Sequence, residues 1–351
     1  MENPELLTRL LSQVSRSFYL TLRVLPRAIR PQIGLAYLLA RTTDTIADTE
    51  ILPVEQRLEA LQKLRERIIG QSYAPVNFGS LAEQQGLPAE KILLERTEES
   101  LALLESLSPE DLKLVREVLA TIVSGQELDL RRFGQQAAAR GDARPINPIN
   151  ALKTAAELDD YTYRVAGCVG EFWTKMCRSH LFPVTKLDDA QFLADGIRFG
   201  KGLQLVNILR DLPADLKIGR CYLPLEQLTA AGLTAESLLK PENESKFLTL
   251  FQEHLDMAEA HLAAGWRYTN TLPFGQFRVR LACAWPVLIG IRTLEKLRAA
   301  KVAGLQQRVK ITRGEVRGIL LCSTLACWLP PMWQKLYSPR AKAVASGNNL
   351  A

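Results

Sequence analysis

Ile33-Gly34-Leu35-Ala36-Tyr37-Leu38-Leu39-Ala40-Arg41-Thr42-Thr43-Asp44-Thr45-Ile46-Ala47-Asp48 begins as an apolar helical run and ends in two aspartates. On a helix, residues four apart share a face and are separated by about 6 Å along the axis. Asp44 and Asp48 have that spacing. Like charges so placed cost a helix roughly a few tenths of a kcal/mol unless something positive lies between them. Arg41, three residues before Asp44, and Tyr37, seven before it, fall on roughly the same face. Taken alone, the pair reads equally well as a solvated acidic face.

A second stretch changes the balance. Gln204-Leu205-Val206-Asn207-Ile208-Leu209-Arg210-Asp211-Leu212-Pro213-Ala214-Asp215 sets Asn207, Asp211 and Asp215 at successive steps of four. They form one polar stripe on a segment rich in Leu, Ile and Val. Polar acceptors on an apolar helix must be satisfied, and a metal ion would do it. Asp and Asn oxygens are hard ligands suited to Mg2+, which keeps several waters and shares its shell with substrate phosphates. Two such stripes facing each other across a helical bundle would form a metal–diphosphate site, with Asp44, Asp48, Asn207, Asp211 and Asp215 as ligands. Ionising an allylic diphosphate needs cations against the departing charge and an apolar, water-poor wall behind the carbocation. Pro213 is expected to end or kink the second helix, because it lacks an N–H donor.

The remaining sequence is helical in pattern. Leu58, Leu61, Leu64 and Ile68 recur at three and four within 55–69, the period of a half-buried helix. Ser108-Pro109-Glu110-Asp111 is a helix start, with Ser as cap, Pro at the first position and acids at the positive dipole end. Leu248, Phe251, Leu255, Ala258 and Leu262 line another face, and 282–298 is a further helical run. No period-2 alternation bounded by turn residues suggests a strand. Breaks are expected near 70–80, 134–148, 213–224 and 272–275, the second being the most loop-like. Nothing divides the chain by composition. The expectation is therefore one all-α domain over 1–340, a helical bundle around a central apolar cavity, with a tail at 341–351.

Composition narrows the partners. The net charge of +6 and pI near 9.0 suit anionic ligands. No dense basic run with interleaved aromatics marks a nucleic-acid binder. The six cysteines form no CxxC and lie mostly in apolar stretches, as expected of reduced, buried thiols. No secretory leader pattern precedes the first helix, which points to the cytoplasm. The apolar stretch 318–333 is shorter than a spanning helix and ends at Pro330-Pro331. It reads as a last core helix in preference to a membrane-dipping segment. Peripheral contact with the cytoplasmic face of a membrane stays an expectation, as does a monomeric state.

With both stripes in hand, the chain resembles the squalene/phytoene synthase family, trans head-to-head prenyl synthases of the isoprenoid synthase fold, and squalene synthases most. The resemblance runs from about residue 12 to 320. It rests on Ser15-Arg16-Ser17-Phe18, on Tyr37, Arg41, Asp44 and Asp48, and on Tyr161-Thr162-Tyr163-Arg164-Val165-Ala166-Gly167-Cys168-Val169-Gly170. It also rests on Gln204, Asn207, Arg210, Asp211 and Asp215, and on Arg220-Cys221-Tyr222-Leu223-Pro224. Cys283-Ala284-Trp285-Pro286 and Val309-Lys310-Ile311-Thr312-Arg313-Gly314 are similar to squalene synthase segments, the latter to its NADPH-binding stretch.

The resemblance implies a farnesyltransferase that joins two farnesyl diphosphates through presqualene diphosphate to squalene. It implies Mg2+ on the aspartates and NADPH on Lys310 and Arg313. It implies substrate contacts from Arg16, Ser17, Phe18, Tyr37, Arg41, Gln204, Asn207 and Arg210. Tyr161 would handle a proton or face a cation, or else be a core tyrosine with a satisfied hydroxyl. Phe18, Tyr37, Leu205, Cys283 and Trp285 would line the cavity, and Gly167 and Gly170 would permit a close approach. The role of Gln126 is open, and Asp129 reads equally as a surface acid. Ala47 and Ala214 stand where related enzymes often have a further acid, and Thr312 where they can carry Arg. Dehydrosqualene or phytoene synthesis, or release of presqualene diphosphate, are the alternatives. A non-catalytic subunit of the same fold, or a helical scaffold with acidic faces, are the readings from other classes.

Overall fold

Ser108 and Pro109 open a 29-residue helix as their sequence dictates, with Ser108 Oγ accepting from the Asp111 amide at 3.2 Å. The computed structural model describes residues 5–15, 18–49, 52–137, 149–300 and 309–337, without the side chains of Glu5, Phe18 and residues 135–137. Among the described residues, the helices of eight or more residues begin with α1 (Arg30–Asp48), α2 (Val54–Ile69), α3 (Pro88–Glu95), α4 (Thr97–Glu105) and α5 (Pro109–Ala137). They continue with α6 (Ala155–Thr162), α7 (Cys168–Leu181), α8 (Asp189–Lys217), α9 (Glu244–Thr271), α10 (Phe277–Ala299) and α11 (Arg313–Ala326). The short α12 spans Pro330–Gln334. The 134–148 break lies outside the described residues from 138 onward, and so does the 341–351 tail.

By its contacts the chain forms two compact units, one of residues 1–144 with 171–185 and the other of residues 145–170 with 186–351. In the first, α1 buries Ile33, Leu35, Leu38, Leu39 and Ile46. Each such side chain contributes about 2 kcal/mol when removed from water. Helix α2 buries Leu61, Leu64 and Ile68, and α5 buries Val115, Val118, Leu119 and Val123. The buried Asp111 carboxylate accepts from Gln32 Nε2 at 3.1 Å and lies 2.7 Å from His180 Nε2. It thereby links three helices by satisfied polar contacts, as a buried charge requires.

The second unit is organised around α8. Gly170 packs so close to it that an added Cβ would lie 1.9 Å from the Gly196 carbonyl oxygen, and one on Gly200 would lie 2.1 Å from that of Ala166. Only hydrogen fits at these two crossings. Gly167 is looser, its nearest neighbour being a Tyr163 ring carbon at 3.1 Å. Between α6 and α7 the chain makes a π-helical segment, Tyr163–Gly167. Such segments insert an extra residue into a helix and recur at functional sites.

Three expectations are corrected. Pro213 does not end α8, which runs unbroken to Lys217. The proline sacrifices one hydrogen bond to the Leu209 carbonyl. Leu209, Leu212, Pro213 and Leu216 are all buried, and that packing outweighs the loss. The break accordingly starts at Ile218, five residues later than expected from 213. A two-residue parallel pair, β1 (Asn150–Ala151) with β2 (Arg220–Cys221), is present although no strand pattern announced it. Its bonds run from the Asn150 amide to the Gly219 carbonyl and from the Leu152 amide to the Cys221 carbonyl.

The third correction concerns 318–333, which is not one core helix. It is divided between α11 and α12. Helix α11 buries only Ser323 and Ala326, while Leu321 and Leu325 are 62% and 61% exposed.

Candidate active site

Both aspartate pairs sit at the C-terminal ends of long helices. Asp48 is the last residue of α1, with Asp44 one turn before it. Asp215 and Asp211 occupy the last two turns of α8. The carbonyl end of a helix carries partial negative charge, so an acid there costs about 0.3–1 kcal/mol unless a cation answers it. Each pair has arginine beside it.

At α1, Arg41 donates to Asp44 through Nη1 and to Glu90 of α3 through Nη2. Burial pulls the Arg41 guanidinium down, but Asp44, Glu90 and Asp48 together outweigh it and hold it above its ordinary value. Arg57 of α2, 1% exposed, donates to the Ala47 carbonyl at 2.8 Å and so answers the end of the α1 dipole. Asp44 is half-exposed and Asp48 exposed.

At α8, Arg210 grips Asp211 with Nε at 3.0 Å and with Nη2. Asp215 is half-buried and Asn207 exposed, its amide 3.5 Å from Gln204 Oε1. The unbroken helix keeps Asn207, Asp211 and Asp215 in register at four-residue steps. The neighbouring Cys221 thiol is pushed up to about 12, chiefly by burial, with Asp215 adding to the rise. It is a buried neutral thiol and not a nucleophile.

The donor set fits Mg2+. Each pair offers hard carboxylate oxygens at partly solvated positions, on a helix end that favours a cation. Among the described residues no group of three or more His, Cys, Asp or Glu is gathered to hold an ion. Phosphate oxygens and water would therefore complete the shell, as Mg2+ prefers.

Tyr161 is buried at the end of α6 and stacks on Tyr222, ring centroids 4.7 Å apart at 23°. Leu205 and Cys283 are buried, and Trp285 donates to Ser323 Oγ at 3.0 Å, joining α10 to α11. Tyr37 is half-buried on α1. Gln126 Oε1 is a buried acceptor without a partner, and Asp129 is partly buried on the same helix, α5. Arg16 and Ser17 lie outside the described residues, as does the Phe18 side chain. Lys310 and Arg313 are exposed at the start of α11. Thr312 is the cap of that helix, accepting from the Glu315 amide at 3.2 Å while Glu315 Oε2 accepts from the Thr312 amide at 2.9 Å. Lys296 first, then Thr312, hold the Glu315 carboxyl down to about 2. Threonine here is the residue a capping box demands.

Glu90, Arg57 and Tyr222 carry the local geometry without having been singled out for it. The Glu90–Arg41 and Arg57–Ala47 contacts span 49 and 10 residues. Only a covarying pattern or a structure links such positions. Tyr222 lay within the quoted Arg220–Pro224 segment, and its stacking on Tyr161 was not legible.

The squalene/phytoene synthase family model matches residues 11–315. A presqualene diphosphate synthase of Rhodopseudomonas palustris is 31% identical over 257 residues, covering 73% of this chain and 75% of the relative. A squalene synthase of Schizosaccharomyces pombe is 27% identical over 319 residues, covering 90% of this chain and 64% of the relative. The chain spans only 36–39% of several fungal bifunctional lycopene cyclase/phytoene synthases that it also matches. A solved complex of TcSQS with a ligand superposes with a TM-score of 0.73 at 23% identity, covering 94% of this chain and 89% of that one. That likeness shows the all-α fold of squalene synthase-type isoprenoid synthases. From the match over most of its length, the chain belongs to the squalene/phytoene synthase family and is a prenyltransferase.

Proposed function

We propose that the chain condenses two farnesyl diphosphates head to head into presqualene diphosphate and carries that product on to squalene. The observation that supports this most is the pair of helix ends, each with two aspartates in register and an arginine at their side. Family members bind their diphosphate through Mg2+, and the aspartate pairs supply the oxygens for it. When bound, Mg2+ neutralises the diphosphate charge that develops as the allylic C–O bond breaks.

The chain's own residues do the rest. Arg41 and Arg210 present planar guanidiniums for phosphate oxygens, each oriented by its carboxylate partner. The farnesyl cation is attacked by the double bond of the second substrate, and proton loss closes a cyclopropane. The stacked Tyr161–Tyr222 rings offer a π face to that cation, and the Tyr161 hydroxyl is the candidate for moving the proton. Exposed Lys310 and Arg313 at a helix start fit the phosphates of NADPH, which would supply the final hydride.

A second reading stops at presqualene diphosphate. The R. palustris relative, similar over three quarters of its own length, favours it. Purified enzyme given farnesyl diphosphate and Mg2+, with and without NADPH, separates the two by gas chromatography of extracts and phosphate-ester analysis. Squalene formed only with NADPH supports the full reaction. Presqualene diphosphate in both samples establishes the shorter one. Dehydrosqualene in both, or turnover only of geranylgeranyl diphosphate, rejects both.

A further inference from the structure

The second unit leaves a greasy face uncovered. Leu321 and Leu325 on α11, Trp328 and Leu329 in the turn that follows it, and Met332 on α12 are all at least half exposed. Phe274 extends the face, 51% exposed. Trp328 is held against it, its ring centroid 4.8 Å from Phe277 and 6.5 Å from Phe274. Arg280 lies over the rings of Phe274 at 5.6 Å and Trp333 at 5.1 Å. An apolar face this exposed has an occupant in the working protein.

Charge decides between occupants. The described residues 309–337 contain four basic side chains, Lys310, Arg313, Arg317 and Lys335, against one acid. That acid, Glu315, is already spent on Lys296 at 2.6 Å and Arg292 at 3.1 Å. Residues 274–280 add Arg278 and Arg280 and no acid. A second copy docking through the same face would set this positive rim against itself, which opposes an isologous contact. An anionic bilayer answers it at about 1 kcal/mol per basic residue near the surface. Among the described residues no helix is long and apolar enough to cross a membrane. An exposed apolar surface of Leu, Met and Trp with Arg and Lys around it lies in the interface plane, where tryptophan is favoured.

We infer that the α11–α12 face, with Phe274, seats this protein on the surface of an anionic lipid bilayer. The assignment holds whichever product the enzyme releases.

The test is co-sedimentation of the purified full chain with vesicles of phosphatidylcholine alone or with 30% phosphatidylglycerol, alongside size-exclusion with light scattering. The wild type is expected to bind the anionic vesicles at least tenfold more tightly than the neutral ones, with the Trp emission shifting to the blue. Leu321→Glu and Leu325→Glu, both on exposed positions, should each weaken binding at least tenfold with melting temperature unchanged. Arg317→Glu with Lys335→Glu should do the same without touching the apolar stripe. Val184→Glu, at a 92% exposed apolar residue elsewhere, should bind like the wild type. No vesicle binding by the wild type overturns the inference. Equal binding by the Leu321 and Leu325 variants overturns it too. So does a dimer that Leu325→Glu dissolves while vesicles are ignored, which would assign the face to a second copy.

Discussion

Replacing Gly170 by alanine puts a methyl carbon 1.9 Å from the Gly196 carbonyl oxygen and 2.7 Å from its carbon. Ordinary contact starts near 3.4 Å, so the helices must part by more than an ångström. The obstacle is backbone, so no side-chain rotation relieves it. Overpacking of this kind costs about 1–3 kcal/mol, and a backbone-to-backbone clash belongs at the upper end. For a chain of 351 residues, about 3 kcal/mol lowers the melting temperature by roughly 4 °C. The displaced element is α8, whose far end carries Asp211 and Asp215 about 22 and 28 Å along the axis from Gly196. A shift of about 1 Å at a reacting group costs on the order of a hundredfold in rate. Circular-dichroism melts and steady-state turnover of farnesyl diphosphate measure both effects. Gly86→Ala, which meets nothing within 4 Å, is the control and should match the wild type. If Gly170→Ala melts within a degree of the wild type with unchanged turnover, the packing argument is wrong.

Acid should destabilise the protein through one buried and one half-buried histidine, His254 and His261. His254 and His261 are each lowered from the ordinary 6.5 to about 4, burial being the first cause and Arg198 and Lys201 adding at His261. The unfolded chain therefore takes up protons first as pH falls, so stability is lost between about 6.5 and 4 and levels off below, by on the order of 3 kcal/mol per histidine. His254→Leu should flatten that slope in denaturant melts at pH 7, 5.5 and 4.5; an unchanged slope refutes the assignment. Glu90→Gln removes one of the two carboxylates that aim Arg41 and should raise KM for farnesyl diphosphate about three- to tenfold while kcat stays within threefold. Unaltered KM would show that Arg41 needs no such support. Thr312→Ala breaks the capping box of α11 and should cost about 1 kcal/mol of stability, read from the urea midpoint; no loss would mean that Glu315 holds the helix end alone.

The sequence carried most of what depends on local pattern. Helical period located α2, α5 and α9, and Ser108-Pro109 marked a start to the residue. The four aspartates were visible because i,i+4 spacing is itself a geometric statement. What stayed hidden was decided by tertiary context. Pro213 has the chemistry of a helix breaker, and only the burial of Leu209, Leu212 and Leu216 around it lets α8 continue. Glu90 and Arg57 act on α1 from other helices, and no local rule connects them. An apolar stripe at three and four looks the same whether it faces a core or something outside the chain, so 318–333 read as a core helix and stands exposed. The β1–β2 pair is two residues a side, too short for alternation to show.

Everything chemical in this account depends on the carboxylates at the ends of α1 and α8 being ion ligands and not surface acids. The direct measurement is the Mg2+ dependence of farnesyl diphosphate consumption by Asp44→Asn and Asp211→Asn, with melting temperature as the folding control. Each variant should lose at least a hundredfold in turnover, about 2.7 kcal/mol of barrier, need more Mg2+ for half-maximal rate, and melt like the wild type. Near-normal turnover at the wild-type Mg2+ requirement in either variant would contradict it.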